Sequence, residues 1–140
     1  MSYPTPEAAE IAFYAAFEAR SLDAMMAVWL ADEQIACIHP LAAPLNGRAA
    51  VAAGWRSMFE AAGQFRVRVE LAHEIRSVDQ VVRIVREYLL IGQETEPRPP
   101  ILATNVYRKD ADGWRMVLHH ASPLQVGATP PARAAAEVLH

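Results

Sequence analysis

At Gly63 the rhythm of apolar side chains changes from about 3.6 residues to two, and that change limits what this chain can fold into. Before it, Ile11, Phe13, Tyr14 and Phe17 recur at helical spacing, behind Thr5-Pro6-Glu7, which reads as an N-cap, a proline at the first helical position and an early acid. A second helix start follows at Ser21 and carries Leu22, Met25, Met26 and Trp29. Gln34 to Ile38 reads as a brief strand stopped by Pro40, and Leu41 to Leu45 as a loop. Asn46 is expected to cap a third helix with Val51, Trp55, Met58 and Phe59 on one face, which Gly63 closes.

After Gly63 the pattern is that of strands. Phe65, Val67, Val69, Leu71, His73 and Ile75 alternate with mostly polar residues, which predicts a long strand with one buried face. Asp79-Gln80 marks a turn, and Val81 to Ile91, Ile101 to Lys109 and Trp114 to Ser122 predict three more strands, the last two joined by a hairpin at Asp110–Gly113. Pro123 ends the run, because a central strand cannot use a residue without an N–H. Three helices before a four-strand meander give an α+β class, with the helices covering one face of an antiparallel sheet. We read residues 1–123 as one domain and 124–140, rich in Ala and Pro, as a tail with a short helix from Pro131 or none.

Composition narrows the function classes. Of 140 residues 53% are hydrophobic and 21% charged, which suits a globular domain, and the net charge of −3 with no basic stripe argues against nucleic acid. Cys37, the sole cysteine, sits in an apolar run and reads as a small buried hydrophobe. Met1 to Glu10 lacks the basic and apolar regions of a signal peptide, and no apolar run reaches the ~20 residues that span a bilayer, so a cytoplasmic protein without membrane contact is expected. Neighbouring strand residues point to opposite faces, so His119-His120 does not make a metal site; His39 or His73 would have to join one of them. No strained turn presents Ser122 as a nucleophile, and no Gly-rich loop cradles a phosphate; no cofactor is expected.

Three strings carry a family resemblance. Ser21-Leu22-Asp23-Ala24 with Trp29-Leu30-Ala31-Asp32-Glu33, His39-Pro40 with Leu45-Asn46-Gly47-Arg48-Ala49-Ala50-Val51 and Trp55, and Trp114 to Pro123 resemble the nuclear transport factor 2-like superfamily, in particular its SnoaL-like and ketosteroid isomerase-like members. The last string is also similar to the end of the association domain of calcium/calmodulin-dependent kinase. The resemblance covers about residues 6 to 123 and implies a cone-shaped, cystatin-like α+β barrel: a curved antiparallel sheet packed on three N-terminal helices around one pocket. One fold of this kind hosts many functions.

The resemblance also implies which residues look into the pocket: Asn105, Tyr107, His120 and Ser122, with the opposite set facing a partner subunit. Aligned on ketosteroid isomerase, that enzyme's tyrosine donor falls on Phe13, its aspartate base on His39 and its protonated aspartate on Asn105. None is kept, so steroid isomerisation is not implied. His39 still has the chemistry of a base or polariser, and Asn105 that of an amide donor to a carbonyl or oxyanion; His120 completes the candidate catalytic set. The opposing reading makes His39 a loop cap and His120 a satisfied core histidine. Trp29, Trp55, Phe59 and Tyr107 are candidates to line an apolar cavity or plain core; Tyr14 lies about 100° around the helix from Phe13. Arg48 is placed to meet a ligand carboxylate or to pair with Asp32, and Ser122 completes the ligand-binding set.

Two functions fit. One is a pocket for a small hydrophobic or carbonyl-containing molecule, with isomerase, cyclase or hydrolase chemistry; the other is a non-catalytic binding or assembly domain. Both predict a homodimer through the sheet, since Val81-Val82, Ile84-Val85 and Leu89-Leu90-Ile91 put apolar groups on both faces, and the outer face would add Val106 and Val117.

Overall fold

The fold is taken from a computed structural model that describes residues 2–124; the expected tail helix lies outside the described residues. Thr5 Oγ1 accepts from the Ala8 N–H at 3.0 Å and starts α1 (Pro6–Ala19), which ends where Arg20 turns left-handed at φ 54°. Ser21 Oγ then accepts from the Ala24 N–H at 3.2 Å and starts α2 (Leu22–Val28). β1 (Ala36–Ile38) follows as expected, but Leu45–Asn46, read as loop and cap, form a short strand, β2. The cap of α3 (Arg48–Ala61) is therefore Gly47, not Asn46, and makes no side-chain cap bond. Its φ of 87° suits glycine, its N–H donates to Ile35 O at 2.9 Å, and a Cβ there would stand 2.9 Å from Glu33 Oε1. α3 closes on Ala62, one residue before Gly63.

The strands β3 (Phe65–Arg76), β4 (Gln80–Ile91), β5 (Ile101–Asp110) and β6 (Gly113–Pro123) form the expected meander within a curved, unclosed six-stranded sheet of order β2-β1-β6-β5-β4-β3. The sheet is mixed, not wholly antiparallel: β1 lies parallel to β6, with Cys37 opposite His119. No hairpin joins these two, so nothing forces them to run in opposite directions.

Two bulges decide which side chains face the helices. In the β5–β6 pair the register slips between Val106 and Tyr107, so that Val106 faces Leu118 while Tyr107 faces Met116 and Val117 is the extra residue. One added residue inverts the alternation. His119 and Ala121 therefore turn inward, and His120 and Ser122, expected inward, turn outward and are exposed. A slip between Leu71 and His73 acts likewise on β3: Glu74 falls opposite Arg83, while His73 and Ile75 leave the face of Val69 and Leu71.

The inner face carries a core of Phe13, Phe17, Met25, Val28, Trp29, Val51, Trp55, Val81, Val85 and Met116, packed between the sheet and α1–α3. Across it runs one polar row, with Glu74, Arg83, Asn105, His119 and Cys37 directly opposite one another on five strands. The corresponding outer row is Ile75, Val82, Val106, Leu118 and Ala36.

Candidate functional site

Four buried polar or charged residues stand out in the core: Glu10, Glu87, Asn105 and His119. A buried polar group must find partners or destabilise the fold. Tyr14 donates its hydroxyl to Glu87 Oε2 at 2.6 Å and accepts from Asn105 Nδ2 at 3.0 Å. The same amide nitrogen donates to Glu10 Oε1 at 3.2 Å, and Tyr107 donates to that oxygen at 2.8 Å. His119 Nδ1–H donates to Asn105 Oδ1 at 2.6 Å. Arg83 closes the cluster, with Nε on Glu10 Oε2 at 2.7 Å and a terminal nitrogen on Glu74 Oε1 at 2.6 Å. Glu7 pairs with Arg76 at its outer end.

Burial pushes the Glu87 carboxyl up to about 7; the Tyr14 hydrogen bond opposes the shift and the charge of Glu10 adds to it. Burial holds the His119 imidazole down to about 3, helped by the charges of His39 and His120. The Tyr14 hydroxyl lies well above its ordinary range, from burial and then from the charge of Glu87. The cluster thus holds a carboxyl that gains and loses a proton near neutral pH beside a hydroxyl that keeps its own.

The cluster opens to solvent through a cleft of about 350 Å³ between α1 and β3–β4, lined by Glu7, Glu10, Ile11, Tyr14, Val69, Leu71 and Arg83. A second cleft of about 360 Å³, almost wholly apolar, is lined by Phe17, Met58, Phe65, Leu89 and Ile91 near the other end of α1.

The expected site residues part into groups. Tyr14, Asn105 and Tyr107 meet in the cluster. Asn105 spends both amide hydrogens on Glu10 and Tyr14 and its oxygen on His119, so it holds the cluster in place instead of offering a free donor. His39 is half buried beside Cys37 and Trp55, its ring edge-on to Trp55 with centroids 4.7 Å apart, and burial lowers its pKa. Trp29 is core and donates to Met25 Sδ at 3.4 Å; Phe59 lies half buried against Trp55. Arg48 meets neither Asp32 nor the clefts: it donates to the carbonyls of Met26, Trp29 and Leu30 and so caps the C-terminal end of α2. His120 and Ser122 stand on the outer face.

Sequence reading missed Glu10, Arg83, Glu87 and His119. One signal was visible: Arg83 and Glu87 share the parity of Val81 and Val85 on β4, two charged residues on the face that buries apolar side chains. Among the described residues no group of three or more His, Cys, Asp or Glu is placed to hold a metal ion, and no helix is long and apolar enough to cross a membrane.

The model of the SnoaL-like domain matches residues 7–126. This chain belongs to the SnoaL-like domain family, within the nuclear transport factor 2-like superfamily. A solved structure of a candidate calcium/calmodulin-dependent protein kinase type II association domain from Thiobacillus denitrificans is 77% identical, covers 89% of the SnoaL-like chain and 99% of its own, and superposes with a TM-score of 0.88. A candidate dehydratase of the NTF2-like family from Streptomyces avermitilis is 26% identical, with coverage of 84% and 92% and a TM-score of 0.74. Among curated proteins, the F-box protein SKIP8 of Arabidopsis thaliana is 26% identical over 114 residues, which make up 81% of this chain and 47% of the relative. The SnoaL-like chain thus spans about half the length of that relative.

Proposed function

We propose that this SnoaL-like chain binds a small carbonyl-containing molecule in the cleft between α1 and β3–β4 and moves a proton on it, with Glu87 and Tyr14 as the acid–base pair. The observation that carries the reading is the Glu87 carboxyl, buried, 2.6 Å from the Tyr14 hydroxyl and poised near neutrality directly behind a cleft that Tyr14 lines. Such a pair gives and takes a proton next to a carbonyl at physiological pH. Ile11, Val69 and Leu71 supply apolar walls, and Arg83 and Asn105 hold Glu10 and Tyr14 in place. A candidate dehydratase of the NTF2-like family is among the structures this chain resembles. In this reading His39, the base expected from sequence, lies apart from the cleft, and the protein acts in the cytoplasm without cofactor, nucleic acid or membrane.

The test is loss of the α-proton signals of cyclohexanone in deuterated buffer, followed by NMR. The protein should accelerate exchange over buffer; Glu87→Gln and Tyr14→Phe should each slow it at least about tenfold. His39→Ala should leave it within about twofold. Exchange at the buffer rate, or exchange untouched by both cleft variants, overturns the reading.

The 77% identity to a candidate kinase association domain favours a second reading, assembly through the sheet. The outer apolar row from Ile75 to Ala36 is its surface, and a homodimer its simplest product.

A further inference from the structure

Arg83 lines the cleft beside α1, and only part of its guanidinium is in use. Its Nε donates to Glu10 Oε2 at 2.7 Å and its Nη1 to Glu74 Oε1 at 2.6 Å. Those carboxylates stand on α1 and β3, so the planar fork is held from two sides and its direction is fixed. The other terminal nitrogen, Nη2, carries two N–H donors and has no hydrogen-bond partner among the described residues. It is not sealed in the core, where the buried side-chain atoms left without a partner are His39 Nδ1 and Trp55 Nε1. The open space that Arg83 borders is the cleft, so Nη2 faces it.

Charge decides what kind of oxygen belongs there. Glu10 and Glu74 already offset the arginine, and Glu7 lies 3.7 Å from Nη1. Arg76 joins the same group through Glu7 and Glu74, so two arginines meet three carboxylates, Glu7, Glu10 and Glu74. An anionic ligand would bring a further negative charge to a place that has one in surplus. The Arg83 side chain is 13% exposed, so solvent screens that repulsion only in part. Nη2 is therefore a directed donor without spare positive charge, and it suits an uncharged carbonyl oxygen.

The cleft has room for a second polar contact. Its volume of about 350 Å³ stands at the lower end of small-molecule sites, which run from roughly 300 to 1,000 Å³ and set a few placed polar groups among apolar walls. Tyr14 offers one such group, Arg83 the other, and Ile11, Val69 and Leu71 the walls.

We propose that Arg83 is a specificity-determining residue of this cleft and that the cleft takes a neutral dicarbonyl compound: one carbonyl oxygen at Tyr14, a second, uncharged carbonyl oxygen on Arg83 Nη2, and an apolar body between them. Binding of this kind rests on the cleft being the ligand site proposed above, but it does not need proton transfer there.

The test follows the side-chain N–H signals of Arg83 by NMR, assigned by their loss in Arg83→Lys or, should that variant not fold, by triple-resonance methods. The probes are ethyl 3- and ethyl 4-oxocyclohexanecarboxylate, which offer two spacings of the oxygens; 4-butylcyclohexanone, which lacks the second carbonyl; and 4-oxocyclohexanecarboxylate, which carries a charge there. At least one ester should move the Arg83 signals in a saturable way and bind at least about tenfold more tightly than the other two probes. In Arg83→Lys, whose ammonium keeps the charge beside Glu10 and Glu74 but not the fork, the preference for the ester should fall to within about twofold. No saturable shift with either ester, esters bound no more tightly than 4-butylcyclohexanone, tighter binding of the acid, or a preference kept in Arg83→Lys overturns the proposal. Cyclohexanone exchange reports on Glu87 and Tyr14 alone. Exchange at the buffer rate beside an intact ester preference removes proton transfer and keeps the Arg83 contact; the reverse pattern removes the contact and keeps proton transfer.

Discussion

Tyr14 on α1 and Glu87 on β4 share a hydrogen bond of 2.6 Å that joins the helical layer to the sheet inside the core. Seventy-three residues apart in sequence, they form the one link in the cluster that pairs a hydroxyl donor with a carboxyl poised near neutral pH. The expectations below follow from that link and from the two bulges that assemble the rest of the cluster.

The first concerns pH. Glu87 is raised from 4.5 to about 7, so between those values the native state holds a proton that the unfolded chain has lost, and stability falls as pH rises. His119 is lowered from 6.5 to about 3, so between those values the unfolded chain holds the extra proton, and stability rises with pH. The slopes of these two groups oppose each other from about 4.5 to 6.5 and nearly cancel there. Glu87→Gln removes one slope, and its stability should climb with pH through this window by an amount on the order of 3 kcal/mol. Urea denaturation at several pH values measures both curves; parallel curves for the two proteins would refute the assignment.

The second concerns Asn105. Replacing it by Leu leaves Glu10, Tyr14 and His119 each short of a partner at buried positions. Stability should fall by roughly 3 kcal/mol, read as a lower urea midpoint with an unchanged slope. A loss under about 1 kcal/mol would mean that water replaces the amide and that the cluster is more open than its burial indicates.

How much of this was legible beforehand depends on rhythm. The order of helices and the meander followed from the change of period at Gly63, and the candidates Tyr14, Asn105 and Tyr107 do meet. What failed was parity. Counting in twos from Trp114 and Met116 points His120 and Ser122 inward, and the extra residue at Val117 reverses this and delivers His119 to Asn105. The bulge before His73 likewise delivers Glu74 to Arg83. A bulge leaves no clear mark in a sequence whose residues suit either face, as Val117 and Ala72 do. Arg48 failed differently: three backbone carbonyls at the end of α2 attract its guanidinium, and carbonyls carry no side-chain signal.

The third concerns Gly113, which turns the β5–β6 hairpin at φ 114° beneath the N-terminal segment. A Cβ there would stand 2.6 Å from Tyr3 O, the acceptor of the Trp114 N–H at 2.8 Å. Gly113→Ala should cost about 2 kcal/mol from backbone strain and the clash. It should also release Tyr3, visible as loss of hydrogen-exchange protection at the Trp114 amide. Unchanged protection would show that the hairpin adjusts without giving up the strap.

The last concerns the outer row. Ile75, Val82, Val106, Leu118 and Ala36 face one another across five strands, an apolar band on the side of the sheet away from the helices. Val106 stands at its middle, and in a two-fold pairing the same patch meets itself. A single Val106→Glu therefore brings a carboxylate against the partner's apolar row, and near the axis against its own copy, with no cation from the row to offset it. The side chain lies on the face of β5 opposite Asn105 and the polar cluster, so the Glu87 titration should survive, and far-UV circular dichroism checks that the variant is folded. Analytical ultracentrifugation at micromolar concentration should show wild-type protein at twice the chain mass and the variant at the mass of one chain. Wild-type protein that sediments as one chain would leave the outer row without this role. A variant that still pairs would move the interface to another face.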